Sequence, residues 1–564
     1  MRSTVFFIIA ILKEFLISLI NPIRKQFSIK TFRLARSVIV DSYCAYNKSN
    51  LASDGDYKNG YILVDCFPVP QWIMSNSIFL DRLREITNAG IASYGINDRD
   101  AYENKLYKSF GANIHFNLRL SLKQEKERLF LFLSILKSIK SKEDVFNIQI
   151  DNVSIGIEIY ESILRLGYAT VPVMHFKSAF QIFSALRYFI FFRDMFVQDK
   201  IKAVVLSHDV YIHMGILSKL ANHNSVPVFH VNVLEIVQTD IPHKIHDRFV
   251  RYPEYFRTLS KAEQEKGLEL AKNAINNRIQ GIVGVNMSHQ IASAFENNKI
   301  VRQTSENNKT KICVATHCFY DNPHAYGGLS FIDFYEWLIF LGEISKETDY
   351  EWYLKPHRDY LPGTLEILEE ITAKYPAFIL INPDTSFHQL RDEGVSVALT
   401  CYGSIGHELP LLGYNVINAG YNPHIAYGFN IHCKTKEDYK NILLHLDQLP
   451  PVSDIESLPE FFYVHNYMNH QDDYFFNSYQ EFLKAVDKNV LSEKCYEYFL
   501  KDADKYVLRY RKKIDSILIT NYRYSSELAI LSNSSNSNFK PIEISNPFKK
   551  FIGVNKTVFS VNEN

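Results

Sequence analysis

Cysteine is scarce in this chain: there are seven cysteines among 564 residues, scattered and odd in number, with no Cys-x-x-Cys pair. That pattern argues against a structural zinc site and against a disulfide framework, and it is typical of a protein kept in a reducing cytoplasm. Excess charge of either sign is absent as well, since Lys plus Arg and Asp plus Glu both number 62. The overall charge balance therefore gives no indication of nucleic acid as a partner.

A long apolar run is also missing. Near the N-terminus Val5 to Leu12 and Phe15 to Ile20 are apolar, but Lys13 and Glu14 interrupt them before the roughly eighteen apolar residues that a membrane-spanning helix needs. No small-residue cleavage site of a signal peptide follows. The basic residues that come next, with no acid among them, are Arg24, Lys25, Lys30, Arg33 and Arg36. We expect an amphipathic, basic segment that lies on the inner face of the cytoplasmic membrane; the alternative is a first helix docked on the protein's own core.

The chain does contain two series of apolar strand-like runs that alternate with amphipathic helical patterns. The first series starts with YILVDCF (61–67), and the second starts with KICVAT (311–316) after a polar stretch at 296–310. Such alternation predicts parallel sheets covered by helices on both faces. We therefore predict an α/β protein with two Rossmann-like, doubly wound domains facing each other across a cleft.

The predicted division of the chain follows these patterns. A capping box, Ser260 to Glu263, opens a predicted helix that runs to about Arg278 near the end of the first series. The low-complexity run SNSSNSN (532–538) cannot bury much apolar surface. The predicted parts are a membrane-associating segment (1–39), an acceptor domain (40–300), a nucleotide-sugar domain (311–485), C-terminal helices (486–531) and a flexible tail (532–564).

The stretch LTCYGSIGHELPLLGYNVI (399–417) has the pattern strand, tight turn, helix and strand. Gly403 and Gly406 allow a ligand to approach the main chain closely, Ser404 adds a hydroxyl donor, and Glu408 could accept from sugar or ribose hydroxyls. Because Pro410 lacks an N–H, we expect the helix to begin no earlier than about His407. The turn is suited to a phosphate, although an ordinary strand-to-helix turn would have the same pattern.

Basic side chains follow neighbouring predicted strands. Lys355, His357 and Arg358 come directly after the strand pattern 350–355, and His317 comes after KICVAT. Since the carboxyl ends of parallel strands share one edge of the sheet, these side chains should lie beside the Gly403 turn and favour a nucleotide phosphate. Each of them could instead be an ordinary surface residue.

The Lys355-Pro356-His357 loop, followed by YGSIGHELPLLGYNVI (402–417), resembles the nucleotide-sugar half of bacterial capsule and surface polysaccharide biosynthesis proteins. These are related to capsule Kdo transferases and have the GT-B glycosyltransferase fold. The segments DNVSIGIEIYESILRLG (151–167), SHDVYIHMGILSKLANHNSVPVF (207–229) and NNRIQG (276–281) are similar to that group too, so the resemblance spans roughly 150–430.

The resemblance implies that Lys355, His357, Ser404, Gly406 and Glu408 contact the nucleotide part of an activated sugar. It also implies that no metal or other cofactor holds the phosphate. Two departures from the family pattern stand out. Arg358 replaces a frequent proline, which puts an extra cation at the rim, and Gly413-Tyr414-Asn415-Val416 replaces a frequent Gly-Lys-Pro-Val.

The catalytic group should come from the first domain, across the cleft. The candidates are His208 and Asp209 at the end of a predicted strand, Asp65 after YILV, and Asp151 before the SIG turn. A carboxylate or imidazole there could deprotonate an acceptor hydroxyl, or a carboxylate could act as the nucleophile of a double displacement. Alternatively, Asp209 caps the following helix and His208 is packed in the core.

Three hypotheses for the function follow. The first is a glycosyltransferase that adds a sugar from a nucleotide-activated donor to a capsule or lipopolysaccharide glycan at the inner membrane. Its partners would be the donor, a glycan or glycolipid acceptor and the membrane surface, without nucleic acid. The second is a nucleotide-sugar epimerase of similar shape. The third is a non-catalytic glycan-binding or assembly protein that binds through the aromatic segment Phe461 to Tyr479.

Overall fold

The computed structural model describes ten stretches of the chain: 33–51, 56–96, 98–173, 175–240, 245–283, 292–296, 300–468, 474–533, 539–544 and 547–550. The predicted membrane-associating segment, 1–39, lies almost entirely outside these residues. Within them, no helix is both long enough and apolar enough to cross a bilayer.

The first half of the described chain is built on one six-stranded sheet. The strands of this half are β1 (Asp56–Asp65), β2 (Ala89–Gly95), β3 (Ile114–Asn117), β4 (Gln149–Ile150), β5 (Val153–Ser154), β6 (Ile201–Leu206), β7 (Val228–Val231) and β8 (Ile236–Thr239). The order in the sheet is β3-β2-β1-β6-β7-β8, and β4 and β5 pair separately as a hairpin. All neighbours in the sheet are parallel except β7 and β8.

Helices cover both faces of this sheet, as the alternation of patterns predicts. The helices of this half of the chain are α1 (Val38–Asn50), α2 (Pro70–Thr87), α3 (Ala101–Ser109), α4 (Leu122–Ser138), α5 (Lys142–Phe146), α6 (Gly156–Leu164), α7 (Phe176–Val197), α8 (Ile216–His223), α9 (Tyr252–Arg257) and α10 (Lys261–Ile279). Of these, α9 and α10 pack in a separate apolar cluster with Phe461 rather than on the sheet. The predicted capping box is present at the start of α10, where Ser260 accepts from the Glu263 N–H and the Glu263 side chain accepts in return from Ser260 N–H.

The second half is built on another six-stranded sheet, in which every neighbouring pair is parallel. Its strands are β9 (Lys311–Ala315), β10 (Glu351–Lys355), β11 (Phe378–Leu380), β12 (Val397–Thr400), β13 (Asn415–Asn418) and β14 (Ile431–His432). Their order is β11-β10-β9-β12-β13-β14. The helices are α11 (Phe334–Ser345), α12 (Thr364–Lys374), α13 (Phe387–Asp392), α14 (Ile405–Glu408), α15 (Lys436–Leu443) and α16 (Leu458–Tyr463). The prediction of an α/β protein with parallel sheets is confirmed.

Hydrogen bonds and an ion pair join the two halves. Asp333, the N-cap of α11, accepts from Thr170 Oγ1 at 2.6 Å and from the Tyr160 hydroxyl. Lys142 pairs with Glu336 beside them. Because Asp333 is fully buried, these bonds satisfy a carboxylate that would otherwise be unpaired away from water.

The last helices of the described chain return to the first sheet. They are α17 (Tyr479–Ala485), α18 (Lys494–Leu500), α19 (Ala503–Ile519) and α20 (Ser525–Asn533). The hydroxyls of Tyr102 and Tyr496 lie 2.7 Å apart in this core, and Arg82 Nε donates to Asp515 at 2.5 Å. Phe539 and Phe548 are buried as well, so these two residues pack on the protein, contrary to the expectation of a flexible tail from 532.

The aromatic segment Phe461 to Tyr479 is core rather than surface where the structure describes it. Phe461 and Phe462 pack in one cluster, and Phe475 and Phe476 pack in the core of the first sheet. All four side chains are at most 2% exposed. The expectation that this segment presents an aromatic binding surface is therefore wrong for these residues, because their apolar area is already removed from water by tertiary packing.

Candidate functional site

Each sheet has a switch point, where the strand order changes direction and two neighbouring strands lead to connections on opposite faces. In the first sheet it lies between β1 and β6, and in the second between β9 and β12. Ligands of open α/β sheets bind at the carboxyl ends of the strands beside such points. A cavity of about 310 Å³ opens at the carboxyl ends of β9, β10 and β12.

Seven of the eight residues predicted to bind the donor nucleotide line this cavity: His317, Lys355, His357, Arg358, Gly403, Ser404 and Glu408. The eighth, Gly406, does not. The loops after three strands thus converge on one space, which is the arrangement that the strand patterns predict.

Lys355 is a buried cation in the wall of the cavity. Its ammonium donates to the carbonyl of Pro383 at 2.8 Å and lies 5.3 Å from the centre of the Phe387 ring. Burial lowers the pKa of this ammonium to about 8. Lys355 is thus mainly charged at neutral pH. An anion that binds in the cavity would pair with this ammonium and offset the loss of its hydration.

Arg358 is not the extra rim cation that the sequence suggests. Its guanidinium donates to Asp384 at 3.1 Å and to Glu296 at 2.7 Å, and it also donates to the Ser293 carbonyl. Two carboxylates therefore offset its charge, so that Arg358 fastens the 292–296 segment to the cavity wall. His357 is exposed on the same loop and accepts from the Asp359 N–H at 3.0 Å.

His317 links the two strands at the switch point. Its Nε2 accepts from the Cys401 N–H at 3.0 Å and lies 3.0 Å from Thr400 Oγ1. Its ring stacks on Phe334 at 4.5 Å. Burial lowers the pKa of His317 to about 3, so the ring is neutral. Because Nε2 accepts, the proton of the neutral ring belongs on Nδ1, which gives His317 one donor for a ligand.

The Gly403 turn has the predicted order of strand, turn, helix and strand, but the helix starts earlier than predicted. It begins at Ile405 with Ser404 as the N-cap, not near His407, because it ends after four residues and Pro410 falls in a following 3-10 turn. At Gly403, a Cβ would lie 2.8 Å from Thr400 Oγ1. Gly406 faces the protein interior, since its Cβ would lie 2.2 Å from Nε2 of the buried His424. Packing against His424 therefore requires a glycine at position 406.

Glu408 is buried in the wall of the cavity. Its Oε1 accepts from Arg278 Nε, and both side chains are about 5% exposed and line the cavity. Arg278 comes from the C-terminal end of α10 and was not predicted as a site residue. Its place in NNRIQG (276–281), a segment similar to the polysaccharide biosynthesis proteins, was the one sequence feature that could have indicated it. No local sequence pattern shows that α10 reaches Glu408.

Asp65 lies at the switch point of the first sheet, at the end of β1. Ser207, just after β6, donates to Asp65 Oδ2 through its hydroxyl and also through its N–H at 3.2 Å. Oδ1 is buried without a hydrogen-bond partner among the described residues. Burial raises the pKa of Asp65 from 3.8 to about 6, although the Ser207 bonds oppose this. Asp65 also lines a separate cavity of about 270 Å³ with His213.

The other three catalytic candidates lie in different surroundings. The His208 ring packs against the rings of Trp72 and Phe67, with centroid distances of 5.8 and 5.2 Å, and burial lowers the pKa of His208. Asp209 does not cap the following helical turn, which has Val210 as its N-cap and no side-chain cap. Asp151 has a φ of 49° in the β4–β5 turn, and its carboxylate lies 3.6 Å from Arg193.

Asp209 instead lines a third cavity, of about 210 Å³, between the two halves. Glu161 of α6 and His324 of the second half line it too, and Glu161 Oε1 lies 3.2 Å from both the N–H and Nδ1 of His324. Burial raises the pKa of Glu161, while His324 opposes the shift. Sequence reasoning missed this pair because neither residue follows a strand.

Residues that are consecutive in sequence line the third cavity and the first. Asn322, His324 and Ala325 line the 210 Å³ cavity, whereas the next residue, Tyr326, lines the 310 Å³ cavity. One short segment therefore forms part of the wall of both. The described residues contain no group of three or more His, Cys, Asp and Glu side chains arranged to hold a metal ion; metal-free binding of the donor stays a prediction.

Comparison with known proteins gives structural likenesses alone: no family model matches this chain, and no curated protein matches it. A beta Kdo 2,4 transferase, KpsC of Thermosulfurimonas dismutans, is 12% identical over 47% of this chain and 79% of that chain, with a TM-score of 0.27. The UDP-GlcNAc 2-epimerase of Neisseria meningitidis is 10% identical over 79% and 100%, with a TM-score of 0.20. MnaA of S. aureus, solved with UDP, is 12% identical over 77% and 97%, with a TM-score of 0.22. Sequence identities and TM-scores this low do not show the fold or the activity of this chain.

Proposed function

We propose that this protein is a glycosyltransferase that moves a sugar from a nucleotide-activated donor to a bacterial surface polysaccharide, of capsule or lipopolysaccharide type, at the cytoplasmic face of the inner membrane. In this proposal the two sheets belong to two Rossmann-like domains that face each other across a cleft in the GT-B manner. The observation that carries it is the convergence of Lys355, His317 and Ser404 on one cavity at the switch point of the second sheet.

The donor's nucleotide occupies this cavity in our proposal. Its phosphate pairs with the buried ammonium of Lys355 and accepts from Ser404 and from Nδ1 of His317. One carboxylate oxygen of Glu408 accepts a hydrogen bond from Arg278, and the other accepts a hydrogen bond from a ribose hydroxyl. Recognition is thus shared between a charge partner for the phosphate and an acceptor for the sugar hydroxyls.

The acceptor hydroxyl enters the adjacent 210 Å³ cavity, beside Asp209 and the Glu161–His324 pair. A carboxylate there takes the proton as the hydroxyl oxygen attacks the anomeric carbon of the donor sugar, and the nucleotide leaves with the bonding electron pair on its phosphate oxygen. We favour Asp209 for this role because its cavity shares the wall 322–326 with the donor cavity. Asp65 is the alternative, since its carboxylate lies at the switch point of the first sheet.

The first experiment is a thermal-shift screen of the full chain against nucleotides and nucleotide-sugars. A bound donor at a hundred times its dissociation constant should stabilise the protein by about 2.7 kcal/mol. If no nucleotide shifts the melting temperature, the donor site is wrong and a non-catalytic assembly role is favoured.

The second experiment separates transfer from epimerisation. The protein is incubated with the donor that binds, with and without glycan acceptors. Nucleotide release that depends on the acceptor supports the transferase. Isomerisation of the donor sugar without acceptor would contradict it and support a nucleotide-sugar epimerase.

The third experiment assigns the base. Asp209→Asn and Asp65→Asn are compared with Asp199→Asn, a control at an aspartate of the first half whose side chain is 92% exposed. The first change should lower turnover by at least roughly a hundredfold without weakening donor binding, because a general base contributes to the chemical step. Full activity of Asp209→Asn together with loss in Asp65→Asn would move the role to Asp65.

A further inference from the structure

Helix α4 (Leu122–Ser138) presents an unusual face to solvent. The exposed large apolar side chains are Leu122, Leu129, Phe130 and Leu133, with 92%, 48%, 63% and 39% of their surfaces accessible. At 100° per residue, they fall within an arc of roughly 100° on one side of the helix. Isolated exposed leucines are common, but these four large apolar residues share one helical face that the described part of the chain leaves exposed to solvent.

The opposite side of α4 accounts for how the helix is held. Phe132 and Arg128 are buried, the Phe132 ring lies 5.0 Å from the Phe183 ring of α7, and the Arg128 guanidinium lies over Phe183 at 3.6 Å. The helix is therefore anchored without help from the exposed face.

The charges of α4 are sorted between the two sides. Three lysines, Lys123, Lys126 and Lys137, fall within or at the border of the apolar arc; all are exposed, and none of them makes an ion pair with the described residues. The Lys126 ammonium lies 5.9 Å from the Phe130 ring centre.

The acids of the helix lie outside the arc and are neutralised. Glu125 pairs with Arg128 at 3.0 Å, and Glu127 pairs with Arg193 at 2.6 Å. The exposed face therefore combines large apolar side chains with unpaired cations and no carboxylate, which is the composition of a helix that lies in the headgroup region of an anionic bilayer.

We propose that this face of α4, the Leu122–Lys137 face, docks on the surface of an anionic membrane. The four apolar side chains enter the boundary between headgroups and acyl chains, while the three lysines remain at the level of the lipid phosphates, as long cationic side chains do. The surface is separate from the donor cavity and independent of the proposed activity. It also contains none of the residues of the predicted segment 1–39.

The test uses the full chain and flotation with vesicles of phosphatidylcholine containing one third phosphatidylglycerol, with pure phosphatidylcholine as the neutral comparison. The intact protein should float with the anionic vesicles only. Changing Lys123, Lys126 and Lys137 together to Gln should weaken binding roughly a hundredfold, at about fivefold per lysine. The double change Leu129→Ser and Phe130→Ser should weaken it roughly tenfold or more.

Matched controls keep the result specific. The first replaces three exposed lysines of α10, Lys261, Lys266 and Lys272, by Gln, which changes the net charge equally. The second is Val301→Ser, which removes a side chain 84% exposed in the second half. Both controls should bind like the intact protein, and all variants should keep its melting temperature, because none of these side chains is buried.

Three results would overturn the proposal. The first is failure of the intact chain to bind anionic vesicles at moderate salt. The second is equal binding by the α4 variants and the controls, which would leave any membrane contact to another segment. The third is concentration-dependent self-association, seen by light scattering, that Phe130→Ser abolishes while no vesicle is bound; the face would then be an interface between two copies of this chain.

Discussion

The buried pair between Arg278 and Glu408 gives the sharpest test of the structure, because it joins α10 to the turn after β12 across 130 positions of sequence. Replacing Glu408 by Ala leaves the Arg278 guanidinium buried without its carboxylate. Breaking such a pair from one side typically costs about 3–5 kcal/mol. Since both side chains are about 5% exposed, no discount for surface screening applies, although the neighbouring cavity favours the lower end of that range.

The assay is urea unfolding of a double-mutant cycle made of Arg278→Met, Glu408→Leu and the combined variant. Each single change should lower the free energy of unfolding by about 3 kcal/mol or more, whereas the double variant should lose clearly less than the sum, because an apolar pair of similar volume leaves no buried charge. As a control, Asp349→Ala removes the exposed partner of Lys309 and should have no measurable effect.

A loss below about 1 kcal/mol in the Glu408 variant, or additive losses in the cycle, would refute the burial argument. The same result bears on the donor site. Weak nucleotide binding by Glu408→Ala would not by itself identify a contact, since the variant also releases Arg278 at the cavity wall.

Three further predictions follow from single residues. Burial raises the pKa of Asp65 from 3.8 to about 6, so between about pH 4 and 6 the folded state binds more protons than the unfolded state. The free energy of unfolding should therefore fall as pH rises through that window. Asp65→Asn should remove this pH dependence in urea titrations. Because burial lowers the pKa of Lys355 to about 8, nucleotide affinity measured by calorimetry should fall by up to roughly tenfold per pH unit above that value. If Lys355→Met shows the same dependence of affinity on pH, the phosphate does not pair with Lys355. Gly406→Ala should lower the free energy of unfolding by about 1–3 kcal/mol, since its Cβ would lie 2.2 Å from His424 Nε2; wild-type stability would mean that the turn is not packed as described.

Several features of this protein were predictable from local sequence because their causes are local. The capping box at Ser260 and Glu263 needs only residues three positions apart, and it opens a helix that ends at Ile279, one residue after the predicted Arg278. The strand, turn, helix and strand at 399–417 follow from apolar runs and glycines a few residues apart. The convergence of Lys355 and His317 follows from one general rule, that parallel strands place their carboxyl ends on one edge.

Burial and charge pairing could not be predicted in this way, because they depend on segments far apart in sequence. Arg358 is a rim cation in the sequence but is neutralised by Glu296 and Asp384 in the structure. The exposed face of α4 could not be predicted either, since the periodicity of a helix does not show which of its sides meets α7. Local sequence thus determined the elements and the edge of the sheet at which the candidate site lies. Tertiary packing alone decided which of its charges stay unpaired, because the partner that satisfies or buries a side chain arrives from another element.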